Sequence, residues 1–235
     1  MKLNVYDMDG TIVDSTKALR ECQLDGLERA MKAIITDPVP NILKREDYAF
    51  LIDKHGLKGA LQQLNVDQDE FFKVHYHTFD PVIAAKEGRM SVFDDATDTF
   101  YRTMRIPFNL DALISNSTKP ATMKKLSAVG LENTFQYVLA EVEKAKAKPT
   151  PYMANQLVDS LREDNHLDSI RSLMNVGDMP VDMEFGFVMH DVLSTAAGRN
   201  IPFRNYLVNR TGAVYDSLHK DVQQISAMTD IYNGE

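Results

Sequence analysis

The sequence predicts an α/β fold, a Rossmann-like parallel sheet with helices on both faces and a helical subdomain inserted after the first strand. Three observations carry this expectation. A short apolar run, Leu3 to Tyr6, stops abruptly at Asp7-Met8-Asp9-Gly10, as a buried strand does where it meets a polar loop. From Ser15 to about Glu87 only helical spacing is found. After Gly88 strand and helix patterns alternate, and that alternation joins strands in parallel with helices covering both faces.

Taken in order, helical spacing runs over Thr16 to Met31, Glu46 to Lys54, Leu57 to Leu64 and Asp67 to His77. Val92 to Met104 is again helical. Asp111 to Ile114 is a strand that ends at Ser115-Asn116-Ser117-Thr118, and the helix after it opens at Pro120 and closes at Gly130, in the usual proline-first, glycine-last order. Phe135 to Leu139 reads as a strand, Pro151 to Leu161 as a helix, and Leu173 to Val176 as a strand that ends at Gly177-Asp178. Asn205 to Val208 supplies a last strand, with a terminal helix expected within Val214 to Met228. The resulting division is a core of residues 1–15 and 89–235 with an insertion of residues 16–88.

A chain of 235 residues buries a substantial core, and 44% hydrophobic with 26% charged residues is ordinary for a soluble globular protein. Net charge is −8 and the lysines and arginines are scattered, so no basic stripe exists to follow a nucleic-acid backbone and no nucleic-acid partner is expected. The single cysteine, Cys22, excludes an internal disulfide framework and a multi-cysteine metal site, and fits a reducing compartment. Acidic Asp7 comes too early for a signal-peptide apolar region, and no apolar run approaches the roughly 20 residues that span a bilayer. A cytoplasmic protein without a membrane partner is expected.

Four polar clusters fall at the ends of expected strands: Asp7 with Asp9, Ser115 with Asn116, Lys148, and Asp178 with Asp182. In a parallel sheet the carboxyl ends share one edge, which brings residues distant in sequence together. Several carboxylates at one site need a compensating cation, and a hard oxygen donor set of this kind suits Mg²⁺. Each cluster alone has a plainer reading. Asp-x-Asp-Gly also makes turns, Ser-Asn caps helices, Lys148 is an ordinary surface charge, and Asp178 and Asp182 are helix-capping acids. All four in one order outweigh those readings.

The run Asp7-Met8-Asp9-Gly10-Thr11-Ile12-Val13-Asp14-Ser15 resembles the D-x-D-G-T signature of the haloacid dehalogenase superfamily. Three further motifs follow in the family's order: the strand ending in Ser115-Asn116, then Lys148-Pro149-Thr150-Pro151, then Val176-Gly177-Asp178-Met179-Pro180-Val181-Asp182. The branch it resembles is that of phosphoglycolate phosphatase and β-phosphoglucomutase, which carries a small helical cap, here residues 16–88.

The resemblance implies a phosphatase acting on a small phosphorylated metabolite, with Mg²⁺ as cofactor. Asp7 would be the nucleophile that forms an aspartyl-phosphate, and Asp9 the general acid and base, an acid there favouring phosphoryl chemistry over dehalogenation. Gly10, Ser115, Asn116 and Lys148 would bind the phosphoryl group, Lys148 also neutralising Asp7. Asp7, Asp178 and the Asp9 main-chain carbonyl would hold the metal, with Asp182 a further ligand or an orienter of metal-bound water. Lys146 competes with Lys148, which the flanking prolines favour.

Two alternatives stay open: a phosphosugar mutase using the same phosphoaspartate, and a catalytically idle member that binds a metal or partner. Receiver domains of bacterial signalling share acids, a hydroxyl residue and a lysine, but there the phosphorylated aspartate follows the third strand. Specificity is expected in the cap, where Arg20, Lys44, Arg45, Lys54, His55 and Lys58 are candidates and Arg199 is another outside it. His75 and His77 are two apart, which on a helix points them to different sides, so they are read as ordinary cap residues. Two departures from the family pattern stand out: Met179-Pro180 follows Gly177-Asp178 in place of a hydroxyl residue, and Ala197-Gly198 falls late, leaving Phe185 to Asp191 as extra helix or loop.

Overall fold

The computed structural model describes residues 1–34, 43–68, 71, 80–103, 106, 108–141, 143, 145–215 and 218–232. The chain divides into two compact units, Met1–Asp14 with Ser91–Glu235, and Ser15–Met90.

The first unit is built on a six-stranded parallel sheet. Its strands are β1 (Lys2–Tyr6), β4 (Asn109–Ser115), β5 (Tyr137–Ala140), β6 (Ser172–Gly177), β7 (Phe203–Val208) and β8 (Val222–Ile225). They lie in the order β5-β4-β1-β6-β7-β8. A two-stranded antiparallel ladder pairs β2 (Val13–Asp14) with β3 (Ser91–Val92).

The helices of this unit are α4 (Asp94–Thr103), α5 (Lys119–Ala128), α6 (Tyr152–Glu163) and α7 (Pro180–Ala196). Alternation along β1 sends Leu3 and Val5 to one face, where they join Met153, Leu157 and Leu161 of α6 and Phe185, Met189 and Leu193 of α7 in one buried cluster. Tyr6 turns to the other face and meets Phe100 of α4 and Phe135 edge-to-face, with centroids 5.5 and 6.3 Å away. Covering both faces explains why β1 and β6 read as nearly continuous apolar runs.

Register positions the site. Tyr6, the last residue of β1, pairs with Leu113 of β4 on one side and Val176 of β6 on the other. The next residues on each strand, Asp7, Ile114-Ser115 and Gly177-Asp178, therefore emerge level with one another at the carboxyl edge. The Asp7 amide extends the ladder by one bond to the Val176 carbonyl, at 2.9 Å.

The second unit holds α1 (Thr16–Ile34), α2 (Arg45–Gln63) and α3 (Pro81–Lys86). Leu24 and Leu27 of α1 pack with Tyr48, Ile52, Ala60 and Leu61 of α2 and with Phe71, so this unit owns a core. The sequence leads one to expect two helices across 46–64; a single helix forms because that apolar stripe outweighs the roughly 1 kcal/mol cost of each interior glycine. His75 and His77 lie outside the described residues. Among the described residues no helix is long and apolar enough to cross a membrane.

Among the described residues the terminal helix expected within Val214 to Met228 is not formed. Val214, Leu218, Val222 and Ile225 have helical spacing, but Val222 to Ile225 instead pair with Asn205 to Val208 as edge strand β8, followed by a 3₁₀ turn over Met228–Tyr232. The exposed backbone row of β7 is satisfied by this pairing, and only the two ends of β8 are partly buried, so four residues leave little period-2 signal.

Beneath the carboxyl edge, two buried asparagines anchor the start of α7. Asn175 donates to the Asp182 carbonyl at 3.0 Å and to Asn205 Oδ1 at 2.8 Å, and Asn205 donates to the Met183 carbonyl at 2.9 Å. Gly186 makes room for them, since a β-carbon there would lie 2.7 Å from both side chains. Gly186→Ala should destabilise the protein by about 1–3 kcal/mol, lowering Tm by roughly 3–10 °C in a thermal melt. An unchanged Tm would mean that the asparagine pair does not support α7.

Candidate active site

Lys148 is the hub of the carboxyl edge. Its side chain is only 3% exposed, and its ammonium donates to Asp7 Oδ1 at 2.5 Å, Asp182 Oδ1 at 2.6 Å and the Ile114 carbonyl at 3.0 Å. Those are all three donors an ammonium has. The lysine is delivered by the loop between β5 and α6, and Asn116 grips its backbone from the end of β4. Asn116 Oδ1 accepts the Lys148 amide at 2.7 Å, and Asn116 Nδ2 donates to the Lys148 carbonyl at 3.3 Å. Lys146 instead points outward to Glu143 at 2.6 Å, with 40% of its side chain exposed.

Asp182 uses both carboxylate oxygens. Oδ1 takes Lys148, and Oδ2 accepts the Met179 amide at 3.0 Å, closing the first turn of α7. The absence of a hydroxyl at 179 is thus met by the main chain. Gly177 permits this approach, because a β-carbon there would lie 2.2 Å from Asp182 Cβ.

Asp178 accepts the Thr11 hydroxyl on Oδ1 at 3.1 Å. Gly10 lies flat against the same carboxylate: its φ is +86°, and a β-carbon would come within 2.2 Å of Asp178 Oδ2. One oxygen from each of Asp7, Asp178 and Asp182 falls within 4.8 Å of the others. Among the described residues the Ser115 hydroxyl at the end of β4 has no hydrogen-bond partner, and Asp7 Oδ2 has none either.

The electrostatics follow from three acids sharing one ammonium. Burial pushes the Asp7 carboxyl up to about 8; the Lys148 charge pulls it back, while the Asp182 and Asp178 charges add to the rise. Burial and then the Asp182 charge raise Asp178 to about 6, against the Thr11 hydrogen bond. Burial disfavours the Lys148 ammonium, yet Asp7 and Asp182 hold it above the ordinary lysine range. The cluster is short of positive charge, its donors are hard oxygens, and a divalent cation such as Mg²⁺ fits that deficit.

Asp9 lies in the turn closed by the Gly10 amide on the Val13 carbonyl at 2.9 Å. Its two oxygens receive Lys125 at 2.8 and 2.7 Å. Lys125, buried on α5, was not among the sequence candidates. A signal existed, since Thr122, Lys125 and Leu126 share the buried face of that helix, and a lysine there needs a carboxylate.

Other candidates are used elsewhere. Arg199, for which a surface position is as open a reading as one facing substrate, donates to the Asp168 and Ile170 carbonyls at 3.1 and 2.6 Å, just ahead of the amino end of β6. The late Ala197-Gly198 ends α7, with Gly198 at φ +62° as its terminator, and Phe185 to Asp191 are helix. Within the helical unit, Arg45 pairs with Asp25 and Glu28 at 2.7 and 2.8 Å and also with Glu21, and Arg20 donates to the Ala49 carbonyl at 3.0 Å. Both tie α1 to α2.

A parallel sheet thus brings acids, a hydroxyl and a lysine together at its carboxyl edge. Residues 4–188 match the family model of haloacid dehalogenase-like hydrolases, and the chain belongs to that family. Solved structures share the fold. An HAD phosphatase from Thermococcus onnurineus superposes with a TM-score of 0.64 at 17% identity, covering 99% of this chain and 97% of that one. A phosphoglycolate phosphatase predicted in Haemophilus somnus 129PT gives 0.61 at 17% identity, covering 99% and 97%. CbbY from Rhodobacter sphaeroides, bound to xylulose-1,5-bisphosphate, gives 0.58 at 14% identity, covering 98% and 96%. No curated protein matches the chain.

The raised carboxyls give metal-free protein a pH signature. Folded Asp178 binds its proton more tightly than unfolded Asp178, so its contribution to stability is full below about 3.8 and lost as pH rises through about 6. For Asp7 the corresponding loss extends to about 8. In EDTA, Tm should therefore fall between about pH 4 and about pH 8, and Asp178→Asn should flatten the fall below about pH 6. A Tm that climbs through that range, or a profile untouched by Asp178→Asn, would contradict the charge deficit.

Proposed function

We propose that the protein is a Mg²⁺-dependent phosphatase that hydrolyses a small phosphomonoester through an aspartyl-phosphate on Asp7. In this reading Met1–Asp14 with Ser91–Glu235 is the catalytic core and Ser15–Met90 the helical cap. The observation that carries it is the Lys148 ammonium held between Asp7 and Asp182 with Asp178 beside them. Lys148 binds Asp7 through Oδ1 alone, which leaves Oδ2 for attack on phosphorus.

The Asp7 and Asp178 carboxylates and the Asp9 main-chain carbonyl would hold Mg²⁺, with Asp182 fixing Lys148. Bound there, the ion supplies charge neutralisation that lets one anion approach another. The Ser115 hydroxyl and the Asn116 backbone amide bind phosphoryl oxygens, and Lys148 offsets the charge gathered on them. The Gly10 amide is spent on the Val13 carbonyl, so Gly10 serves by leaving room beside Asp178 rather than by binding phosphate. As Asp7 Oδ2 bonds to phosphorus and the ester bond breaks, the leaving oxygen takes a proton from Asp9. Water then attacks the phosphorus, gives a proton to Asp9, and inorganic phosphate departs as Asp7 is restored. Both Asp9 oxygens face Lys125, so each proton transfer requires one of them to turn toward the reacting oxygen.

Family membership and the fold shared with phosphatases support a small phosphorylated substrate, and the sugar bisphosphate bound by the Rhodobacter sphaeroides CbbY directs the panel toward sugar phosphates. Phosphate release should be measured from sugar phosphates, nucleotides and a chromogenic phosphomonoester, with and without Mg²⁺. Release should require Mg²⁺ and fall by at least about 10³-fold in Asp7→Asn. Isomerised sugar phosphate without free phosphate would establish a mutase instead. Magnesium binding without any turnover would leave a binding protein.

A further inference from the structure

Resting on the hydrolase reading, we infer that Arg210 is a positioning residue that clamps the Asp9–Thr11 loop for catalysis. Arg210 lies in the loop after β7, beyond the residues that the family model matches. It is 200 residues from the loop it holds.

The clamp has three jaws. Arg210 Nη1 donates to the Gly10 carbonyl at 2.8 Å. Nη2 donates to both oxygens of Asp95, each at 2.8 Å. The guanidinium plane covers the Phe93 ring at 3.9 Å from its centroid. Only 19% of the Arg210 side chain and 18% of Asp95 are exposed, so the pair is shielded from water and salt. Phe93 and Asp95 are themselves anchored. The Phe93 amide donates to the Ile12 carbonyl at 3.0 Å, and Asp95 Oδ2 accepts the Met228 amide at 2.6 Å.

What is gripped matters more than the grip. The Gly10 carbonyl belongs to the peptide that joins Gly10 to Thr11. Asp9 precedes this peptide, and the Thr11 hydroxyl orients Asp178. Gly10 itself packs against Asp178 with no room for a β-carbon. Displacing one carbonyl therefore disturbs two of the site's acids.

A second contact from the same loop points the same way: the Tyr215 hydroxyl donates to the Asp178 carbonyl at 3.4 Å. Asn209 shapes the loop that presents both residues, accepting the Ala213 amide at 3.0 Å and donating to the Ala213 carbonyl at 2.7 Å. The loop after β7 thus braces the Asp9–Thr11 turn through Arg210 and the Asp178 turn through Tyr215.

Lysine does not replace arginine in this role. A planar fork serves a carbonyl, a bidentate carboxylate and a ring face at once, whereas an ammonium is a single charged point. Arg210→Lys should lower kcat about 10- to 100-fold, with KM within about threefold and a raised half-saturating Mg²⁺ concentration. Free guanidinium should restore part of the kcat of Arg210→Ala. Rates are taken per folded enzyme, well below each variant's Tm, so a loss that only reflects unfolding does not register.

Wild-type kcat in Arg210→Lys, with the wild-type enzyme active, would overturn the clamp and leave the hydrolase reading intact. If the wild type releases phosphate from no substrate, the hydrolase reading fails and amide hydrogen exchange decides the clamp. Faster exchange in Arg210→Lys confined to residues 9–13 would support it, and exchange equal to wild type would overturn it.

Discussion

The site depends on a single buried ammonium. Lys148 is nearly sealed from water, which would expel its charge unless compensating acceptors met all three of its donors. Asp7, Asp182 and the Ile114 carbonyl do so, from three different strands or their following turns. Removing any one would leave a buried charge or donor unmatched, a costlier state than an empty apolar contact. The neighbouring features serve this requirement: Asn116 fixes the lysine backbone, the first turn of α7 fixes Asp182, and Gly177 lets Asp182 come close.

That arrangement is available because β1 lies between β4 and β6, all running the same way. A parallel register places three successive chain exits level at one edge, so side chains more than a hundred residues apart need no long reach. The asparagine pair under α7 and the aromatic trio on the opposite face keep the sheet and its helices from sliding past this alignment. Compensation at the edge stays incomplete, with three acids against one lysine. The burial that makes the ammonium demanding also lifts Asp7 and Asp178, and the proposed Mg²⁺ would make up that shortfall.

Much of the fold was legible because its strands are short apolar runs ending in acids or glycine, and its helices carry caps such as Thr118 and a terminator such as Gly130. Asp7 and Asp178 could be picked out because each directly follows a strand, where topology fixes the destination whatever the side-chain details. Lys148, well past the end of β5, is preferred to Lys146 only on its flanking prolines. Lys125 and Arg210 were not legible in this way. Lys125 sits on a helix, and its partner is set by packing across 116 residues, although its place on a buried face was a clue. Arg210 depends on how the chain leaves β7, and that region was misread because four apolar residues at helical spacing conceal an edge strand. Tyr215 was hidden for the same reason.

Four acids of similar intrinsic strength end up in four different settings, and this division follows from their partners. Asp182, tied to Lys148 and to a helix amide, has no oxygen to spare and holds position. Asp7 shares the same lysine through one oxygen and keeps the other clear, the geometry a nucleophile needs. Asp178, buried beside Thr11 and without a cation of its own, is the acid with most to gain from a metal. Asp9 stands apart on Lys125, on a turn whose next carbonyl is gripped by Arg210, so it does not compete for the ammonium that serves Asp7. The Lys148 ammonium has all three of its donors engaged by Asp7, Asp182 and the Ile114 carbonyl, so it has none left for Asp9, which is held by a second lysine. Two lysines on different elements thus hold Asp7 and Asp9 apart, and in the proposed mechanism that separation, with Arg210 fixing the turn, keeps the nucleophile distinct from the proton carrier.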